Sequence, residues 1–520
     1  MKICTLVLLF AVTGTAQKLP SDVAGVQIPQ DHKASGVAAA DINRDGRLDL
    51  VVTTRNAVKD DERFLRVHFR QENGGFKAEA DHQLTIHKDF TAFLVADVLA
   101  RPGLEVVLFS GARAVAWVPE ETGRKEWVSL FRCPFMMQLS RSGRMIHLPE
   151  AARDLNGDGK IDFLIPMDQG YGVFIHGANG AYSHQGNLLL PPAGSADAVN
   201  TQGALTMTKR SASIRFRLPE FETARSGKVL RRNLVQTTEW NWRPRLVDFD
   251  GDGALDLLAR GSHKLFLWRN VGSRTKPEPD EEYEVPVVAD RSRLIDIAYS
   301  SHFIDLNGDK KIDSVMIAGD QRSETPRTQI LVFQQGSKMT TKSSPLFGAK
   351  GIPSQLLVLA GFTGATDFRD VNGDGKADLI IGSLRQDIID KLRESAREKT
   401  EVELYVYFNQ GGGFSKSPDI RQTFEMKLEG LKSLKSGFLA KFIPDVTGDG
   451  IAELATRTRP DRLDVHYLRK MRNGALKMLD KPLWSFKIDK DADLFLLPKT
   501  EKEAAGVLVV ESKQVTVVRF

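Results

Sequence analysis

The chain has 520 residues, of which 41% are hydrophobic and 27% are charged, and its formal net charge is +5. These fractions are ordinary for a folded globular protein and exclude a largely disordered chain. Lysine and arginine are scattered along the sequence instead of forming a basic tract, which argues against a nucleic-acid partner.

The first residues have the pattern of a secretory signal. Lys2 gives a positive start, residues 3–12 form an apolar stretch, and the small-residue rule for cleavage is met by a Gly-Thr-Ala sequence that ends at Ala16. A buried N-terminal strand is the alternative. We expect residues 1–16 to be removed and residues 17–520 to be secreted, periplasmic or displayed on the cell surface. No later stretch is long and apolar enough to span a bilayer.

An acidic phrase, Asp-x-Asn-x-Asp-Gly-x-x-Asp followed by an apolar run, recurs along the rest of the chain. It begins at Asp41, Asp154, Asp248, Asp305, Asp370 and Asp445. A repeat that leads into a strand predicts one supersecondary unit used many times, as in a propeller or solenoid. An oxygen-bearing side chain at every second position, then Gly, then one more acid, is typical of a loop that wraps around Ca²⁺.

Each loop is flanked by the same order of strands. In the first unit a strand at 37–40 enters the loop and one at 48–53 leaves it, and strands at 64–70 and 76–84 follow on either side of an Asn-Gly-Gly turn. Four short antiparallel strands in a repeat of roughly sixty residues are typical of a propeller blade. The sequence therefore predicts an all-β fold that consists of a single β-propeller.

Two eroded copies complete the repeat. One begins at Asp97, in a gap twice as long as the step from Asp248 to Asp305, and the other occupies residues 494–520. That last unit has three strands, and we expect residues 23–29 to supply the fourth and close the ring, which removes an exposed sheet edge. Eight blades are favoured, and seven remain possible if the last copy is only an extension.

Two of the longer steps between loops leave room for insertions. One insertion is expected at about 191–242, and a short helical one at about 386–399. Insertions leave the blades at their connecting loops, where binding surfaces usually lie.

The six strong loops contain the candidate calcium ligands. We count the first Asp of each loop as position one. Side-chain oxygens are then expected at positions one, three, five and nine, and a backbone carbonyl at position seven. In order, the candidate ligands are Asp41, Asn43, Asp45, Arg47 and Asp49; Asp154, Asn156, Asp158, Lys160 and Asp162; Asp248, Asp250, Asp252, Ala254 and Asp256; Asp305, Asn307, Asp309, Lys311 and Asp313; Asp370, Asn372, Asp374, Lys376 and Asp378; and Asp445, Thr447, Asp449, Ile451 and Glu453.

Six copies of one ligand pattern predict about six structural Ca²⁺ sites, because carboxylates crowded into one loop repel each other without a cation. The loops are not EF-hands: Val52, Ile165 and Ile381 stand where the bidentate Glu would be. The alternative is that Asx-rich turns close the hairpins through their own hydrogen bonds. It suits the Asp97 loop best, because two ligands are missing there and no ion is expected.

Two of the six loops depart from the pattern. The Asp305 loop has Lys310 in place of Gly at position six, which costs about 1 kcal/mol if that position needs a positive φ. The Asp445 loop has Thr447 and Glu453 at positions three and nine, which still offer oxygens. We expect these two loops to be weaker sites than the other four.

The strands and loops together resemble FG-GAP/VCBS repeat proteins, whose relatives include the β-propellers of integrin α-subunits. The resemblance covers nearly all of residues 17–520, and it includes third-strand segments such as Tyr-Val-Tyr-Phe-Asn at 405–409, shortly before Gly-Gly-Gly-Phe. It implies Ca²⁺ loops on one rim of the ring. The functions in that family are mixed, and they include adhesion and carbohydrate handling.

The sequence contains no Gly-x-Ser-x-Gly, His-Glu-x-x-His, Walker-type or Cys-x-x-Cys motif. Cys133 is expected to be a buried small residue. Trp240 and Trp242 are expected to pack under the first insertion, with sugar stacking as the alternative. We therefore expect a monomeric binding or scaffold module for a protein or glycan, and no enzymatic activity. The alternative is a polysaccharide lyase or hydrolase with its site in the propeller funnel.

Overall fold

The computed structural model describes residues 22–58, 62–119, 127–135, 144–167, 170–189, 207–214, 235–242, 245–260, 264–284, 297–320, 327–335, 346–347, 352–360, 362–384, 399–427, 440–459, 461–472 and 474–520. The expected signal at 1–16 and all but the last residue of the expected helical segment at 386–399 lie outside these residues, and that last residue, Lys399, begins a strand. Side chains of Trp240 and Trp242 also lie outside the description, so neither reading of that pair is tested.

Almost all the regular structure within these ranges is β-strand. The first strand, β1 (Asp22–Gln27), belongs to the last sheet of the ring. Blades 1 to 3 consist of β2 (His32–Ala40), β3 (Asp49–Asn56), β4 (Arg63–His68) and β5 (His82–Ile86); β6 (Phe90–Ala96), β7 (Glu105–Ser110), β8 (Arg113–Trp117) and β9 (Val128–Arg132), with an added strand β10 (Ile146–His147); and β11 (Ala152–Arg153), β12 (Asp162–Met167), β13 (Gly170–His176) and β14 (Tyr182–Leu189).

A hairpin separates blade 3 from blade 4 and lies inside the expected first insertion. It consists of β15 (Met207–Ile214) and β16 (Val235–Trp242). Blades 4 to 6 consist of β17 (Arg245–Val247), β18 (Asp256–Arg260), β19 (Lys264–Trp268) and β20 (Glu281–Glu284); β21 (Ile297–Ile304), β22 (Asp313–Asp320), β23 (Arg327–Phe333) and β24 (Gln355–Ala360); and β25 (Phe362–Arg369), β26 (Asp378–Leu384), β27 (Lys399–Tyr407) and β28 (Ile420–Lys427).

The last two blades complete the chain. Blade 7 consists of β29 (Ala440–Ile443), β30 (Glu453–Arg459), β31 (Arg462–His466) and β34 (Trp484–Lys487), with a hairpin of β32 (Leu468–Lys470) and β33 (Leu476–Met478) before its last strand; blade 8 contains β35 (Asp493–Leu497), β36 (Gly506–Val510) and β37 (Gln514–Arg519). Two 3₁₀ turns, Pro149–Ala151 and Val271–Ser273, are the helical elements within the described ranges.

Strands from both ends of the chain close the ring. Strand β1 pairs antiparallel with β37 from Asp22 opposite Arg519 to Gln27 opposite Gln514, so blade 8 takes its fourth strand from the N-terminal side. The protein is therefore an eight-bladed β-propeller, and the prediction of eight blades closed by strands from both ends is confirmed.

An apolar core fills each of the eight junctions between neighbouring blades. For example, Phe109 of blade 2 packs with Phe163 of blade 3. At the closing junction, Leu50 of blade 1 shares a cluster with Val517 of blade 8. Because a sheet between two others is covered on both faces, its second strand is an unbroken run of buried residues, as in β7. The outer strand β24 instead alternates buried and exposed positions.

Strand β10 is a feature that the sequence analysis did not predict. It adds to the inner edge of blade 2 by pairing parallel with β6, and it also contacts β2 of blade 1. The backbone N–H of Met145 donates to the carbonyl of Ser35 at 2.9 Å. The described end of the connection between blades 2 and 3, residues 144–147, therefore lies on the inside of the ring, next to the axis.

Candidate metal centres in the blade loops

The six acidic loops occupy the same place in six different blades. Each loop joins the first strand of its blade to the second, and its position-nine acid is the first residue of the second strand. These acids are Asp49, Asp162, Asp256, Asp313, Asp378 and Glu453. Since the blades share one order of strands, all six loops lie on one rim of the ring.

The position-one aspartate organises each loop from its centre. Its Oδ2 accepts a hydrogen bond from the backbone N–H of position six in all six loops, for example from Gly159 to Asp154 at 2.8 Å and from Gly450 to Asp445 at 2.7 Å. Its Oδ1 accepts from position four or five. The loop backbone therefore folds around this carboxylate.

Two positions of each loop require a left-handed backbone. Position six has a positive φ in every loop, and five of its residues are Gly while the other is Lys310, with φ of 65°. Position four is also left-handed, with Gly in five loops and Arg44, with φ of 56°, in the first. Gly adopts this conformation without the strain that a Cβ brings. The sequence analysis did not predict the left-handed backbone at position four, although Gly recurs there in the sequence.

The side chains of positions three and five turn inward over the same loop. Position five accepts the N–H of position seven through Oδ1 in all six loops, at 2.8 to 2.9 Å. Position three accepts the N–H of position five in the Asp41, Asp154, Asp248, Asp305 and Asp370 loops. In the last loop Thr447 donates its hydroxyl to Glu453 at 2.9 Å.

Three carboxylates come within 4.8 Å of one another in two of the loops. The groups are Asp248 with Asp250 and Asp252, and Asp445 with Asp449 and Glu453. Oxygens bound to one Ca²⁺ at 2.3 to 2.6 Å lie at such separations, so both groups fit the ion. In the other four loops the acids of positions one, five and nine do not form such a group within the described residues, and an Asn amide stands at position three.

The position-nine acid has a second role that the sequence analysis missed. One of its oxygens accepts the N–H of position two, at 2.8 to 3.1 Å in all six loops. In five loops the other accepts an N–H at or just beyond the end of the third strand, as from Asn409 to Asp378 at 2.9 Å. The acid thus clamps the loop to the third strand, and its remaining lone pairs are what it can offer to a cation.

Burial gives these acids unusual pKa values. Removal from water raises the pKa of Asp49 and Glu453 to about 7, and that of Asp256, Asp313 and Asp378 to about 6. The pKa of Asp162 is raised for the same reason. The backbone hydrogen bonds oppose this shift, and the other carboxylates of each loop add to it. A divalent cation at the loop would favour the ionised forms.

The two eroded loops are held by guanidinium groups. In blade 2, Arg44 of the neighbouring loop forms an ion pair with Asp97. In blade 8, the buried Arg519 donates to the carbonyls of Pro498 and Ala504 at 2.9 and 2.6 Å and to Glu503 at 2.9 Å. The arginine of blade 8 thus draws loop oxygens together in the way proposed below for a cation in the strong loops.

The cysteine and two of the histidines, which could carry other chemistry, are packed in the interior. Cys133 is buried, as expected, and burial raises the pKa of its thiol to about 12. His68 and His466 are also buried, and burial lowers the pKa of both. The described residues contain no helix of the length and apolarity that a membrane crossing needs.

Comparisons with known proteins return solved structures at low similarity. No family model and no curated protein matches the chain. A lectin from Agrocybe aegerita that recognises non-reducing terminal N-acetylglucosamine is 15% identical, with 89% of this chain and 94% of that chain covered and a TM-score of 0.36. The V. cholerae biofilm matrix protein Bap1 is 10% identical, with 93% and 76% covered and a TM-score of 0.28. The exotype rhamnogalacturonan lyase YesX is 10% identical, with 96% and 76% covered and a TM-score of 0.23.

Proposed function

We propose that the protein is a calcium-binding β-propeller of the FG-GAP/VCBS type that acts outside the cytoplasm as a binding module for a protein or glycan. One observation carries this proposal: six loops of one conformation stand on one rim, each with inward-turned oxygens at positions one, three and five. Hard oxygen ligands in a short flexible loop match the requirements of Ca²⁺. The ions would be structural and would hold the connections of the blades in place.

A binding role agrees with the way this rim is built. Loops on a rigid scaffold are the usual place for recognition, and the six loops, each held by its own internal hydrogen bonds, offer such a rim. Outside the cytoplasm, Ca²⁺ is abundant enough to occupy sites with dissociation constants of roughly 10⁻⁴ to 10⁻³ M.

The proposal is tested by calcium titration of the purified chain after chelation, with the number of bound ions measured by equilibrium dialysis. We expect about six ions per chain, and about one fewer in the Asp374→Ala variant, which loses the position-five ligand of one loop. The matched control is Asp419→Ala, an acid of the same blade outside the loop. Fewer than two ions per chain, or equal losses in both variants, would reject the proposal.

A further inference from the structure

The acidic loop of blade 4 differs from the other five strong loops in its charge. It has an aspartate at position three, Asp250, where the other five loops have an uncharged Asn or Thr. It therefore carries four carboxylates at positions one, three, five and nine, whereas each of the other five loops carries three. Because crowded carboxylates repel each other, this loop has one more negative charge to offset than the others.

Arg269 brings a positive charge to this loop from the end of the third strand. Its Nη1 donates to Oδ2 of Asp250 and lies 3.8 Å from Oδ2 of Asp256 at position nine. The other oxygen of Asp250, Oδ1, accepts the N–H of Asp252 at 3.3 Å and so stays directed into the loop. The guanidinium thus stands beside two of the four carboxylates that are candidate calcium ligands.

Three further contacts fix the guanidinium at this place. Nε and Nη2 of Arg269 both donate to Oε1 of Glu281, at 3.1 and 3.0 Å. Its Cζ lies 4.5 Å from the centre of the buried Phe249 ring, close enough for a cation–π contact. The side chain of Arg269 is 20% exposed. Its position next to the loop therefore does not depend on Asp250 alone.

Packing does not require an arginine at this place. Arg269 directly follows Trp268, which pairs with Leu257, the residue after position nine. The same pairing identifies the equivalent residues in the other five blades with a strong loop, which are Phe69, Ile175, Gln334, Phe408 and Tyr467. The fold thus accepts aromatic, aliphatic and amide side chains there. The arginine stands in the blade whose loop has the fourth carboxylate, so it matches the charge of that loop.

Blade 7 shows that a residue at this place can reach its loop without bringing a charge. Tyr467 donates its hydroxyl to Oδ2 of Asp449, at position five, at 2.8 Å. Blades 4 and 7 are also the two in which three carboxylates of the described loops come within 4.8 Å of one another. A donor from the third strand accompanies this close approach in both blades, but the donor of blade 4 also offsets a negative charge.

We propose that Arg269 is a built-in counter-ion of the blade 4 loop that competes with Ca²⁺ and sets the affinity of this one site. Without an ion, the guanidinium offsets the fourth carboxylate and keeps the loop in shape. With an ion, it still holds one oxygen of Asp250 and repels the nearby Ca²⁺, so the site binds more weakly than four carboxylates alone would. The inference rests on the proposed function, because it concerns one of the proposed calcium sites.

The test is hydrogen exchange of the full chain, read by mass spectrometry, over a series of Ca²⁺ concentrations after chelation. Peptides that span residues 248–256 report the occupancy of this loop separately from the others. Arg269→Gln introduces the residue type that blade 5 has at this place. Half of the protection of these peptides should then appear at about tenfold lower Ca²⁺ than in the parent chain, because ligand charge sets calcium affinity. The midpoint of the Asp370 loop should not change.

Two further variants separate charge from structure. Asp250→Asn removes the fourth carboxylate but leaves Arg269, and it should raise the midpoint about tenfold. The double variant Asp250→Asn, Arg269→Gln has the residue types of blade 5 at both places, and its midpoint should return close to that of the parent chain. The matched control is Lys264→Gln, at the other end of the same strand, which removes a cation from a pair with Glu282 in which both side chains are 45% exposed. Its midpoint should equal that of the parent chain.

A midpoint that is unchanged or higher in Arg269→Gln would overturn the inference, because removing a purely structural arginine would loosen the site. Thermal melts establish that each variant is folded. If Arg269→Gln does not fold in EDTA, the double variant is compared with Asp250→Asn, and removal of Arg269 should again lower the midpoint about tenfold; equal midpoints would overturn the inference.

The same data separate this inference from the proposed function. If the other strong loops gain protection with Ca²⁺ while Arg269→Gln leaves the blade 4 midpoint unchanged, the role of Arg269 is wrong and the calcium-binding module stands. If no loop gains protection at any Ca²⁺ concentration, the proposed calcium binding is wrong and the role of Arg269 falls with it.

Discussion

The strong loops and the eroded loop of blade 8 bring oxygen atoms close together in different ways. In blade 6, Asp370, Asn372 and Asp374 turn their oxygens over one loop whose neighbouring carboxylates would repel without a cation. In blade 8, the guanidinium of Arg519 joins Pro498, Ala504 and Glu503 directly. We infer from this comparison that the connection between the first and second strands needs a positive centre, which Arg519 provides in blade 8 and which the proposed ions would provide in the strong loops.

The blade 8 loop, which Arg519 holds, lies at a place in the ring that agrees with this comparison. Blade 8 closes the ring between the two ends of the chain, where strand β1 has only β37 as a partner. Glu503 also accepts from Arg70 at 3.1 Å and from the N–H of Leu48 at 2.8 Å, so this network ties blade 8 to blade 1. If the strong loops bind calcium as proposed, this arginine would hold the closing junction independently of the calcium concentration.

The largest expected effect is that of removing calcium from all six strong loops. At millimolar Ca²⁺ each proposed site would add on the order of 1 kcal/mol to the free energy of unfolding, and the six together would add about 6 kcal/mol. Chelation should therefore lower the melting temperature by many degrees, as measured by calorimetry with and without EDTA. Added Ca²⁺ should restore it.

Hydrogen exchange sharpens the same experiment. Amides of the six strong loops should gain protection with Ca²⁺, whereas those of the Asp97 loop and of residues 498–505 should not. A melting temperature unchanged by EDTA, or equal protection in all eight loops, would contradict the division between ion-bound and arginine-bound connections.

Breaking the arginine connection should have the next largest effect. Arg519→Leu leaves Glu503 with one fewer cation and two loop carbonyls without their donor, in a place where Arg519 is 2% exposed. Loss of one partner of a buried ion pair costs about 3 to 5 kcal/mol. We expect that loss in urea denaturation, and we expect it to be equal in Ca²⁺ and in EDTA.

The matched control is Arg369→Leu, which removes an arginine from a pair with Asp367 at 3.0 Å in which the two side chains are 36% and 39% exposed. Exposed pairs contribute less than about 1 kcal/mol, so this variant should resemble the parent chain. If Arg519→Leu destabilised the chain only in the presence of Ca²⁺, the two kinds of connection would not be independent.

Much of this arrangement is readable from the sequence because its signals are local. Spacing between Asp154 and Asp162 predicts the loop, and the apolar run that follows predicts a buried strand. The clamp from Asp378 to Asn409 could not be predicted, because it joins residues far apart in the chain. Strand β10 could not be predicted either, because the two residues Ile146 and His147 are too short a stretch to show any periodicity.

The smallest expected effect concerns the one strong loop whose position six is not Gly. Lys310 has φ of 65°, where a Cβ costs about 1 to 2 kcal/mol, and its N–H still donates to Asp305 at 2.8 Å. Lys310→Gly removes that strain but adds freedom to the unfolded chain, which costs about 0.4 to 1 kcal/mol. We expect a net gain of roughly 0.5 kcal/mol in EDTA. The neighbouring Lys311→Gly relieves no such strain and should destabilise the chain, so a loss in both variants would show that position six tolerates lysine without strain.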